Sequence, residues 1–185
     1  MTILFDEMPR VCAQPQSGDA PDEFPDLSRA HAFPTRRSIL ALDLGTKIGW
    51  ATVDRNGVVR SGIVKCAPRV GEAMGQRWAK FRAHLNEVGD VDAVYFEDVK
   101  NHAGVIAAHV YGGFLAHVEH WCAARNVELV GVGVGQVKKA FTGRGNAKKH
   151  DMIAAAEARG FRPKDDNEAD ALGILTLAVT MEKAR

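Results

Sequence analysis

The spacing of apolar positions changes repeatedly along the chain, and each change predicts an element. "SILALDL" (38–44) is a short apolar run, which reads as a buried strand. "KIGWATVD" (47–54) follows almost at once as a second. "DRNG" (54–57) then predicts a hairpin turn, with Asn56-Gly57 suited to positive φ, and "VVRSGIVKC" a third strand. Three strands joined by such short links make an antiparallel meander.

Beyond the meander the period lengthens. "GEAMGQRWAKFRAHLNEV" (71–88) predicts a helix with Met74, Trp78, Phe81 and Leu85 on one face. "DAVYFEDV" is a fourth strand, rich in β-branched and aromatic residues. "AGVIAAHVYGGFLAHVEHWCAARN" predicts a long helix with Ile106, Val110, Phe114, Val118 and Trp121 on its buried stripe, and "VELVGVGV" a fifth strand. Three helices close the chain. "GQVKKAF" is short, "NAKKHDMIAAAEARG" is expected to be capped by Asn146 and stopped by Gly160, and "DDNEADALGILTLAVTMEKA" is expected to open on a capping box of Asp165 and Glu168. The order βββ-α-β-α-β-α-α-α requires the two later strands to return through helices, which makes parallel pairings. The fold class expected is α/β: a ribonuclease H-like mixed five-stranded sheet, a three-strand antiparallel meander plus two parallel strands, flanked by helices.

Residues 1–36 differ in kind. They hold five of the seven prolines and no sustained periodicity, so they are expected to form a disordered arm ahead of one domain at 37–185. With 46% hydrophobic and 25% charged residues the composition is that of a globular protein. No run approaches the roughly 18 apolar residues that span a membrane, and the N-terminus lacks the apolar core of a secretory signal. Cys12, Cys66 and Cys122 lie far apart, without C-x-x-C spacing, which argues against a disulfide framework or structural zinc and suits a cytoplasmic location. The net charge of +1 is too mild to announce a nucleic-acid partner, so any such partner must be read from local clusters.

The candidate chemistry lies in acids at element ends. Asp43 ends the first strand and Glu97 the fourth, and the expected topology makes those strands neighbours. Two carboxylates at adjacent strand ends repel, and one pKa rises, unless a cation joins them. In "DDNEADALGIL", Asp166 and Asp170 stand at i and i+4 on one helix face, with Asn167 three residues before Asp170. The helix dipole accounts for acids in the first turn, but Asp170 lies beyond it and precedes apolar residues, where an acid needs a partner. Hard divalent cations such as Mg²⁺ take carboxylate oxygens and keep waters for a phosphate substrate. Lys138, Lys139, Arg144, Lys148 and Lys149 lie in a stretch, 129–150, that contains no acid. They read either as a solvated helix face or as phosphate contacts interleaved with glycines. Lys47 and Lys100, which follow the two strand-end acids, are candidates for the same role. The glycines at 131, 133 and 135 lack the G-K-[ST] of a nucleotide loop, so no nucleotide cofactor is expected.

"LALDLGTKIGWATV", "VYFEDV", "QVKKAFTGRGNAKK" and "DDNEADALGIL", in that order, resemble the RuvC family of Holliday junction resolvases, particularly its phage and prophage-type relatives. The resemblance implies a homodimeric endodeoxyribonuclease that resolves four-way or other branched DNA with two Mg²⁺ ions, Mn²⁺ substituting. By matching motifs it assigns Asp43, Glu97 and Asp170 as catalytic metal ligands. The fourth family position falls on Asn167, with Asp166 beside it as the carboxylate alternative. Three other readings are weighed against it. A YqgF-like RNA-processing nuclease shares the first-strand pattern but not "FED" on the fourth strand. A catalytically inactive branched-DNA-binding protein is the reading that Asn167 suggests. An actin-like ATPase, suggested by "DLGT", needs two such domains and far more chain.

Overall fold

The computed structural model describes residues 35–185, and the expected N-terminal arm lies almost wholly outside them. The chain runs β1 (Ile39–Asp43), β2 (Lys47–Val53), β3 (Val59–Lys65), α1 (Gln76–Val88), β4 (Ala93–Asp98), α2 (Val105–Arg125), β5 (Glu128–Gly133), α3 (Val134–Thr142), α4 (Lys149–Ala158) and α5 (Asp166–Lys183). One sheet forms, in the order β3-β2-β1-β4-β5. The meander pairs antiparallel, while β1 with β4 and β4 with β5 are parallel. The order of elements and the mixed sheet are those expected from the sequence.

Strand alternation sorts the core into two layers. Ile39 and Ala41 of β1, Ala51 and Val53 of β2, and Ala93 and Tyr95 of β4 pack against α3, α4 and α5. Leu40, Leu42, Ile48, Val94 and Phe96 face Phe81 and Leu85 of α1 and Phe114, Val118 and Trp121 of α2. Because helices cover both faces, β1 is apolar at every position until Asp43. The same alternation puts Asp43, Gly49 and Glu97 on the α5 side.

Local chemistry moved some boundaries. In the hairpin only Gly57 takes positive φ; Asp54 shapes the turn, its Oδ1 accepting the amides of Asn56 and Val58 at 2.9 Å each. α1 starts at Gln76, past Gly71 and Gly75, so Met74 falls outside the helix and is 65% exposed. Ile106, expected on the buried stripe of α2, is 80% exposed, and the buried residues of that helix begin at Tyr111. α4 is capped at Lys148 rather than Asn146: the Asp151 carboxylate accepts the Lys148 amide at 2.8 Å.

The sheet's other end, away from Asp43, is closed by an ion network. Glu182 accepts from the hydroxyl of fully buried Tyr95 at 2.7 Å, from Arg37 at 3.2 Å and from Arg185 at 3.1 Å. Glu182→Ala leaves the Tyr95 hydroxyl without its acceptor, at a cost of about 2 kcal/mol. In a thermal melt that should appear as a fall of roughly 4–8 °C. A melt indistinguishable from wild type would show that the network adds nothing.

Candidate active site

Four acids meet at the opposite end of the sheet. Leu42 of β1 pairs with Phe96 of β4, and one step further the same register sets Asp43 beside Glu97. α5 crosses this end with its first turns over β2 and β1, carrying Asp166 and Asp170 on one face. Asp165 is the N-cap, and its Oδ1 accepts the amide of Glu168 at 3.1 Å. Gly49 lies directly opposite Asp43 in the β1–β2 pairing, and a Cβ there would overlap the backbone carbonyl of Asn167. The missing side chain therefore lets α5 come down onto the sheet beside Asp43.

The electrostatics record the crowding. Asp43 holds its proton well above the usual carboxylate range, through burial first and then the charges of Asp170, Glu97 and Asp166. Burial, with Asp170, pushes Glu97 up to about 7. Burial, with Asp166, pushes Asp170 up to about 6. Two cations oppose this: Lys149 lowers Asp43 and Asp170, and Lys138 lowers Glu97 and Asp170. Lys149 also forms an ion pair with Asp166. Among the described residues no three acidic, histidine or cysteine side chains stand close enough together to enclose an ion. The donor set nevertheless fits a hard divalent cation: every donor is a carboxylate oxygen, and added positive charge would relieve their mutual repulsion.

The remaining candidates divide. The side-chain amide of Asn167 turns to Asp165, its Nδ2 donating to Oδ2 at 3.4 Å, so the acid drawn into the cluster is Asp166. Lys47 is ion-paired with Asp165, Lys100 with Asp98 at 2.5 Å and Arg144 with Asp151 at 3.1 Å. The acid-free stretch is thus less free in space than in sequence, because Asp151 lies just past its end. Lys139 and Lys148 are exposed and in no ion pair among the described residues. The ring of His102 packs on Tyr111 with centroids 4.7 Å apart. Tyr111 donates its hydroxyl to the carbonyl of Glu97 at 2.8 Å, steadying the end of β4 from the other side of the sheet. A cleft of about 810 Å³ beside Gly45, Thr46 and Ile106, and one of about 490 Å³ beside Lys100, Asn101 and Gln136, flank the acids.

No protein-family model matches the chain. A crossover junction endodeoxyribonuclease RuvC from Anaeromyxobacter sp. (strain Fw109-5) is 32% identical over 145 residues, covering 73% of this chain and 69% of the relative. The chain belongs to the RuvC family. The fold agrees. RuvC of T. thermophilus, solved in complex with a Holliday junction substrate, superposes with a TM-score of 0.68 at 24% identity, over 80% of this chain and 97% of that one. The yeast mitochondrial Holliday junction resolvase Ydc2 superposes with a TM-score of 0.55 at 10% identity, over 85% of each chain. In this RuvC-family chain, the sequence pattern singled out the acids but missed three features of their surroundings. Lys138 and Lys149 appear in sequence as members of a basic run, yet they approach the carboxylates. Glu168, expected to close the capping box on Asp165, instead reaches Ser61 and the amide of Lys164. Gly49 was legible only as a glycine interrupting a strand.

Proposed function

We propose that the chain is a divalent-metal-dependent endodeoxyribonuclease that cuts four-way or otherwise branched DNA as a homodimer in the cytoplasm. The observation that carries this is the convergence of Asp43, Glu97, Asp170 and Asp166, from β1, β4 and α5, on one face edged by Lys138 and Lys149, in a RuvC-family fold. Asp43, Glu97 and Asp170 would hold Mg²⁺ (or Mn²⁺ in its place), and Asp166 would complete the set. A bound divalent cation supplies Lewis-acid charge to a scissile phosphate and a hydroxide-like nucleophile near neutral pH.

The chain's own groups do the rest. Beside a bound cation and the two lysines, the raised carboxyls would be deprotonated and serve as its ligands. Lys149 and Lys138 offer ammonium groups to the phosphate and offset its approach to four acids. The flanking clefts give a strand room on either side, with Thr46 and Lys100 at their rims. A second copy is proposed to pack on the open face of α2, where Gly112 has nothing near it. Gly113, by contrast, is filled by the ring of Trp78 from α1 and belongs to the core.

The test is cleavage of a panel of four-way, forked and linear DNAs, and of RNA, with Mg²⁺, by wild type and Asp43→Asn. Cutting confined to branched DNA and lost in the variant is the expected outcome. Tight junction binding with no cleavage in Mg²⁺ or Mn²⁺ would favour an inactive binder, and preferential RNA cleavage an RNA-processing enzyme.

A further inference from the structure

One buried acid lies inside the catalytic helix and takes no part in the cluster. Glu168 is only 5% exposed. Its two oxygens serve different elements: Oε1 accepts from the hydroxyl of Ser61 in β3 at 2.7 Å, and Oε2 accepts the backbone amide of Lys164, just ahead of α5, at 2.8 Å. Asp166 and Asp170 stand two residues to either side, and helix geometry points residues two apart in nearly opposite directions. Glu168 is therefore turned away from the site and is no ligand. It ties the first turn of α5 to an edge strand that carries none of the four acids.

The same turn is fixed from a second direction. The backbone of Asn167 lies flush on Gly49, directly across from Asp43. The helix start thus rests on β2 at Asn167 and is tethered to β3 through Glu168. Between them these contacts determine how far Asp166 and Asp170 stand from Asp43 and Glu97.

We propose that Glu168 is a positioning residue for the metal site: its bonds to Ser61 and to the Lys164 amide hold the first turn of α5 where Asp166 and Asp170 can share a cation with Asp43 and Glu97. The proposal rests on the nuclease reading above and deepens it. Outer partners of a metal site typically change affinity by 10–100-fold when removed, because ligands left to wander lose the cation before they lose the fold.

The test compares wild type, Glu168→Ala, Glu168→Gln and Ser61→Ala, with Mn²⁺ as the probe, titrated by calorimetry on the full chain without DNA. Glu168→Ala should bind Mn²⁺ about tenfold more weakly and raise by a similar factor the Mg²⁺ concentration giving half-maximal junction cleavage, with junction affinity in chelator unchanged. Glu168→Gln should recover most of the loss, since its oxygen can accept the Lys164 amide while its NH₂ donates to the Ser61 hydroxyl. Ser61→Ala, which cuts only the tether to β3, should fall between, at about threefold. If Glu168→Ala fails to fold, Ser61→Ala and Glu168→Gln carry the comparison. Variants that melt at lower temperature but bind Mn²⁺ as wild type does would overturn the proposal and leave Glu168 a purely structural residue. Because Mn²⁺ binding is read without DNA, a wild type that binds Mn²⁺ and cuts nothing overturns the nuclease reading alone.

Discussion

Glu97→Gln is expected to lose cleavage and gain stability at once. The amide keeps the shape of the side chain but is a poor ligand for a hard cation. Losing several kcal/mol of metal-assisted stabilisation of the transition state lowers the rate by on the order of 10³-fold. Stability moves the other way. In the folded chain Glu97 keeps its proton up to about 7, against an ordinary value of 4.5. Between those values the folded state binds a proton that the unfolded state has released, so this group's contribution falls as pH rises through the window, and above it the full cost remains. The neutral amide of the variant carries no such cost. In chelator at pH 8 the variant should be more stable than wild type by up to about 3 kcal/mol, a rise of several degrees in the melt. At pH 4 the two should coincide. Adding Mg²⁺ should raise the wild-type melt and leave the variant near its starting value. A variant less stable than wild type at pH 8 would mean that Glu97 is neither crowded nor desolvated.

The second large effect falls on a residue with no side chain. Gly49→Val places branched carbons where the backbone carbonyl of Asn167 already lies. A side chain in the way can change rotamer, but a helix backbone cannot. β2 or the start of α5 must yield, at about 3 kcal/mol or more. Urea titration should show the midpoint falling, and whatever folded protein remains should cleave poorly, because α5 is the element displaced. Gly62, in β3, is the internal comparison. The nearest atoms a Cβ there would meet belong to the ring of Trp50, at 3.0 Å, and a side-chain ring can shift. Gly62→Ala is expected to cost about 1 kcal/mol and spare cleavage. Equal losses from the two substitutions would show that the close approach of α5 has no special role.

These effects also mark where one-dimensional reading stops. β1 and β4 were legible because burial on both faces leaves a nearly unbroken apolar run, and Asp43 and Glu97 were legible because each follows such a run. That the two strands are neighbours follows from the order of elements, but the register that sets the acids side by side is a feature of the folded sheet. Met74 was misplaced for a local reason: it keeps helical spacing with Trp78 and Phe81, but Gly71 and Gly75 delay the helix past it. The same holds for Asn146, a good cap displaced by the reciprocal bond between Asp151 and Lys148. The pairing of Lys149 with Asp166 has a different cause. It joins the starts of two helices 17 positions apart, and nothing in spacing or composition encodes that meeting. Asn167 shows the limit most clearly, since the motif position is matched while its side chain turns to Asp165.

The ion pair between Lys149 and Asp166 has a thermodynamic consequence. In the nuclease proposed here the two partners have different destinations, the ammonium toward a phosphate and the carboxylate toward a cation. While they hold each other, each ligand must compete with an internal counterion. A phosphate that draws Lys149 away frees an oxygen donor, and a cation that takes Asp166 frees a positive charge. DNA and metal are then positively linked ligands, and linkage requires each to raise the other's affinity by the same factor. The pair acts as a latch with two keys, either of which makes the other easier to turn.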